Sequence, residues 1–91
     1  MPAEPPMSAR DPDYAFLLAA LERYERPLIR YAMGVVPDLH QARDIVQEVF
    51  IKLSRNLTTL DRGRLAPWLF TVCRNRALDI DERDSAHFAL V

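Results

Sequence analysis

The sequence predicts an all-α fold, a small three-helix bundle. Three observations carry that expectation. Apolar residues recur at a period near 3.6 in three separate stretches. Each stretch begins near an Asp or Pro suited to a helix N-terminus. With only two glycines and 49% apolar residues, no run alternates as a strand would.

Four of the seven prolines fall within the first twelve residues, so residues 1–11 read as a flexible tail ahead of a domain over 12–86. Asp11 followed by Pro12 starts the first helix: a side-chain oxygen to cap it, then a residue whose missing N–H costs nothing there. Its apolar stripe is Tyr14, Leu17, Leu18, Leu21, Tyr24, Leu28, Tyr31 and Ala32. Pro27 interrupts the helix but leaves the stripe in phase, which predicts a kink or brief break rather than a new direction. Gly34, with Pro37 three residues on, suits the C-terminal cap.

Asp38 and Gln41 have the spacing of a capping box and open the second helix. Leu39, Ala42, Ile45, Val46, Val49, Phe50 and Leu53 form its buried face, and it frays near Asn56. Residues 57–64 are a connector in which Gly63 allows a turn. Pro67 sits at the start of a third helix whose inner face is Leu65, Trp68, Leu69, Val72, Cys73 and Ile80.

Composition excludes several classes. Ninety-one residues make one domain with a modest core. No apolar run approaches the ~20 residues of a membrane span, and the Met-Pro-Ala-Glu-Pro-Pro start lacks the pattern of a signal peptide. A single cysteine excludes an internal disulfide and points to a reducing cytoplasm. On its apolar face, Cys73 reads as a small buried hydrophobe. No phosphate loop, zinc motif or nucleophile beside a base is present, so the chain does not read as an enzyme or as needing a cofactor. His40 and His87 are too far apart in sequence to give a metal spacing. Net charge is −1, and in residues 61–84 five arginines meet five acids. Charge alone therefore predicts no tight autonomous DNA binding.

The second helix carries Asp44, Gln47, Glu48, Ile51 and Arg55 at i, i+3, i+4, i+7 and i+11 on its outer face. Such a stripe reads about equally as a solvated face or an interface. Asp44 and Glu48 are like charges four apart, unfavourable unless a cation meets them. Ile51 places a branched apolar group among polar neighbours, as an interface centre does. On the third helix, Arg76 and Asp79, and Asp79 and Arg83, have ion-pair spacing.

The run Asp44-Ile45-Val46-Gln47-Glu48-Val49-Phe50, followed by Trp68-Leu69-Phe70 and Arg74-Asn75-Arg76-Ala77-Leu78-Asp79, resembles region 2 of bacterial sigma factors of the extracytoplasmic-function (ECF) group. The resemblance covers about Tyr14 to Arg83. It implies a non-enzymatic subunit of transcription initiation that binds core RNA polymerase, with Asp44, Gln47, Glu48, Ile51 and Arg55 meeting the coiled coil of the β′ clamp. It further implies that the third helix and its preceding loop engage the melted −10 promoter element on the non-template strand, through Arg62, Arg64, Trp68, Arg74, Asn75, Arg76 and Arg83. Stacking faces, an amide for a base edge and cations for phosphate suit that task. Trp68, on the apolar face, reads as mainly structural, and Asp79 as an organiser, because phosphate repels a carboxylate. An anti-sigma factor is a further partner the resemblance allows.

Two departures stand out. Where the family continues with arginine or lysine, this chain has Ile80-Asp81-Glu82-Arg83-Asp84, which weakens the expected backbone contacts. Residues 87–91 read as a C-terminal end, or as a linker to a helix-turn-helix domain that the sequence does not contain. These departures motivate an alternative: a protein-interaction module that binds polymerase or an anti-sigma factor without reading promoter DNA. A third reading is a bundle that self-associates through Ile51.

Overall fold

A computed structural model describes residues 11–90, with side chains described through Arg83. Except for Asp11, the expected tail lies outside the described residues, as do the side chains of the C-terminal end. Three helices form, α1 (Pro12–Met33), α2 (Leu39–Arg55) and α3 (Leu65–Leu90), with a 3-10 turn at Arg62–Arg64 and no strand among the described residues. Every pair of helices is in contact, as the predicted bundle requires.

Local chemistry sets the helix boundaries. Asp11 caps α1 by accepting from the Asp13 N–H at 2.9 Å. α1 is continuous across Pro27, with no break in the helix. Pro27 withholds one N–H from the carbonyl a turn earlier, yet Leu28 and Ala32 directly after it are fully buried. Packing of the in-phase stripe offsets the lost hydrogen bond. Gly34 is the C-cap, but with φ −75° and ψ −14° it is right-handed, and its N–H donates to the Tyr31 carbonyl at 3.0 Å. Its value here is space: a Cβ would lie 3.2 Å from that carbonyl oxygen.

Asp38 caps α2 by accepting from the His40 N–H at 3.0 Å. Asn56 closes the helix, its Nδ2 donating to the Lys52 carbonyl at 2.7 Å. Asp61 then accepts from the Gly63 N–H at 3.0 Å and winds the 3-10 turn that leads into α3. Gly63 has no positive φ, so the turn does not depend on glycine's freedom. Pro67 lies in the first turn of α3, where its missing N–H breaks no helical bond.

The core is built from Leu28 and Ala32 of α1, Ala42, Ile45, Val46, Val49 and Leu53 of α2, and Leu69, Cys73 and Ala77 of α3. Val36, in the α1–α2 connection, joins them. Tyr31 and Phe70 meet edge to face at 5.4 Å, tying the end of α1 to the start of α3.

Some expected core positions are not buried. Leu39 is 40% exposed, because the first residue of α2 projects beyond the packed part of the helix. Tyr14, Leu18 and Tyr31 are also exposed: the apolar stripe of α1 is wider than the face its two neighbours cover. Phe50, Leu65, Trp68, Val72 and Ile80 are partly buried and pack around the core.

Candidate functional site

On α2, all five residues of the predicted stripe, Asp44, Gln47, Glu48, Ile51 and Arg55, are exposed. Ala42, Ile45, Val46, Val49 and Leu53 hold the helix from beneath, so none of the five is needed to fill the core. Ile51 is 49% exposed. With Gln47 it borders an open groove of about 910 Å³ between α1 and α2, lined by Tyr14, Leu17, Leu18, Leu21 and Phe50 among others. An amphipathic helical partner would find apolar surface there beside charged and amide groups.

The predicted nucleic-acid residues divide into two groups. At the start of α3, the Arg62 guanidinium bonds to Asp13 Oδ1 at 2.6 Å and lies 4.4 Å from the centre of the Phe16 ring. Arg64 extends into solvent with Asp61 3.9 Å away. Both arginines sit on the 3-10 turn, and Arg62 lines a small cleft of about 320 Å³ with Phe16, Arg23 and Tyr24. Trp68 is half-buried against the core, as its place on the apolar face predicts.

The second group lies further along α3. Arg74 and Asn75 are exposed. Arg76 spans the seam to α2: its Nε donates to Glu48 Oε2 at 2.5 Å and its Nη2 to Glu48 Oε1 at 3.4 Å. Its Nη1 donates to Asp79 Oδ2 at 2.8 Å, and Arg83 Nη2 reaches the same oxygen at 3.3 Å. The hydrogen bond to Glu48 is the main reason the Arg76 pKa rises further, so this guanidinium stays charged. Both predicted ion pairs along α3 are present. Glu48, which its own helix leaves facing the like charge of Asp44, receives a cation from α3.

Sequence reasoning missed several participants. Lys52 lines a cleft of about 370 Å³ between α2 and α3 with Glu48, Val49, Val72, Asn75 and Arg76. Asp13 and Phe16 fix Arg62 from 49 and 46 positions away in sequence. Nothing local to Lys52, Asp13 or Phe16 signals these contacts, which arise where helices cross.

Cys73 is buried, and its thiol donates weakly to the Leu28 carbonyl at 3.8 Å. Loss of hydration pushes its pKa up from 9.0 to about 11. Among the described residues, no group of three His, Cys, Asp or Glu could hold a metal ion. Nor is any helix long and apolar enough to cross a membrane.

The three packed helices present an acid-amide stripe on one side and an arginine-asparagine helix beside it. The chain matches the family model for Sigma-70 region 2 over residues 20–84. It is 40% identical over 76 residues to the ECF RNA polymerase sigma factor SigL of Mycobacterium tuberculosis, covering 81% of this chain and 42% of that protein. It is also 31% identical over 58 residues to the ECF RNA polymerase sigma factor SigM of Bacillus subtilis, covering 64% of this chain and 36% of that protein. The chain therefore spans about two fifths of the length of the curated relatives it matches. No solved structure matches it significantly. The chain belongs to the sigma-70 region 2 family, within the ECF group.

Proposed function

We propose that this domain acts in transcription initiation as a non-enzymatic specificity element: it binds core RNA polymerase through α2 and offers α3 to promoter DNA. In this reading Asp44, Gln47, Glu48, Ile51 and Arg55 meet the coiled coil of the β′ clamp. Arg62, Arg64, Arg74, Asn75, Arg76 and Arg83 face the unstacked −10 non-template strand, while Trp68 braces the helix. The domain works in the cytoplasm with polymerase, and an anti-sigma factor covering these surfaces would silence it.

One observation supports this reading most: the five α2 residues are all exposed although the same helix supplies five of the twelve buried core residues among those described. Acid and amide groups held on a rigid helix suit arginine and lysine side chains on a partner helix, by charge-assisted hydrogen bonds. The test is binding of the chain to an isolated β′ clamp coiled coil. Gln47→Ala and Glu48→Arg should weaken binding while leaving helicity intact, and unchanged affinity in both would sink the assignment.

A second reading is favoured by the ion pairs of α3. Asp79 is within reach of both Arg76 and Arg83, which blunts two of the cations meant for phosphate. A module that docks on polymerase or an anti-sigma factor without reading DNA would tolerate that. Crosslinking of Asn75 or Arg64 to −10 single strand within a reconstituted holoenzyme would rule it out.

A further inference from the structure

We propose that Glu48 and Arg76 form a latch that makes DNA binding on α3 depend on what occupies α2. The proposal rests on the two-surface reading above. Glu48 belongs to the α2 stripe, yet both of its carboxylate oxygens accept from Arg76 of α3. A single side chain therefore serves two surfaces. A cation arriving on α2 draws on the same carboxylate charge that holds Arg76 and so weakens that pairing.

The cleft between the helices shows what that competition releases. Its charged residues are Glu48 and Asp79 against Lys52 and Arg76, a net charge of zero. If a partner's arginine or lysine takes Glu48, one carboxylate leaves the balance and the cleft becomes cationic by one unit. Arg76 then keeps only Asp79, a carboxylate it shares with Arg83. Val72, only partly buried, gives the cleft an apolar wall for a base. Lys52 and Asn75 have no side-chain hydrogen bond or ion pair among the described residues, so both are available to a phosphate and a base edge. With the latch closed, Arg76 is spent inside the protein. With it open, the same guanidinium faces single-stranded DNA.

Linkage makes the effect reciprocal: DNA held by Arg76 frees Glu48 for the partner by the same factor. The pair is partly exposed, with side chains 34% and 49% accessible, so the coupling is modest.

The test is fluorescence anisotropy of a single-stranded DNA oligonucleotide at low salt with the full chain, in the absence of polymerase. Five proteins are compared: the native chain, Glu48→Gln, Arg76→Gln, the double variant, and Glu22→Gln as a charge-matched control on the exposed face of α1. Circular dichroism verifies that each remains helical. Glu48→Gln should tighten binding by about two- to fivefold, the scale of an exposed ion pair. Glu22→Gln should change it less, and the gain should vanish when Arg76 is also replaced. An equal gain from Glu22→Gln, or one that persists without Arg76, overturns the latch and leaves the DNA reading standing. Absence of binding by all five folded proteins overturns the latch, because opening it then exposes no DNA-binding surface, whereas the DNA reading is decided by the holoenzyme crosslinking above.

Discussion

Arg62, in the turn before α3, donates to Asp13, in the first turn of α1: Arg62 Nη2 lies 2.6 Å from Asp13 Oδ1 although the two are 49 positions apart in sequence. The same guanidinium lies over the Phe16 ring. The turn that precedes α3 is thereby tied to the first turns of α1, and Arg62 is oriented by two groups before any ligand arrives. Both partners are about half exposed, so neither contact is strong.

Removing the two contacts should separate their contributions. Asp13→Asn should lower stability in urea by less than about 1 kcal/mol, the usual range for an exposed pair. Arg62→Ala loses the ring contact as well and should cost about 1–2 kcal/mol. Equal losses in the two variants would show that stacking on Phe16 contributes nothing.

Leu53 and Ile51 lie two positions apart on α2 and should behave oppositely. Leu53 is fully buried, so Leu53→Ala should cost about 2–5 kcal/mol of unfolding free energy. Ile51 is 49% exposed, and Ile51→Ala should stay within about 0.5 kcal/mol of the native chain. In binding to the β′ clamp coiled coil, Ile51→Ala should show the larger loss among folded proteins. Urea titration and a binding isotherm measured on the same samples check both halves.

Cys73 should resist modification while the protein is folded. At pH 8 a thiol reagent should label it slowly, and fast once urea is added. The linkage sign follows from burial. The folded pKa is raised from 9.0 to about 11, so the folded state keeps its proton longer than the unfolded one. Its contribution is fully present below pH 9 and is lost as pH rises towards 11. Cys73→Ala should flatten that part of the stability profile, at the expense of a small cavity.

The Asp38 cap offers a local test. Asp38→Ala removes the acceptor of the His40 N–H and should cost about 0.5–2 kcal/mol. Asp38→Asn retains an acceptor oxygen and should recover most of the loss, which thermal unfolding can detect.

Much of this architecture is legible in the sequence because its causes are local. Asp11, Asp38 and Asn56 stand where their helices begin or end, and each bonds within two to four residues of itself. The apolar period placed Ala42, Ile45, Val46, Val49 and Leu53 inward, and all five are buried. It was less informative about Ala20, Val36 and Ala77, which are also buried. A stripe reading favours bulky side chains, whereas small ones fill the places where two backbones approach closely. It also counted Leu39 and Leu18 as core, since it cannot tell how far along each helix its neighbours extend.

The candidate site divides in the same way. Which residues share a face of α2 or α3 follows from 3.6 residues per turn, and the ion pairs of Asp79 follow from spacing of three and four. By itself, then, the sequence determined the helices, the Asp caps of α1 and α2, which residues share the two candidate faces, and the family to which they belong. Only the tertiary structure decided that Arg76 answers Glu48 and that Asp13 and Phe16 hold Arg62. These contacts join residues 28 to 49 positions apart. Their partners are chosen by how the helices pack, and side-chain periodicity within one helix carries no information about the face that another turns towards it.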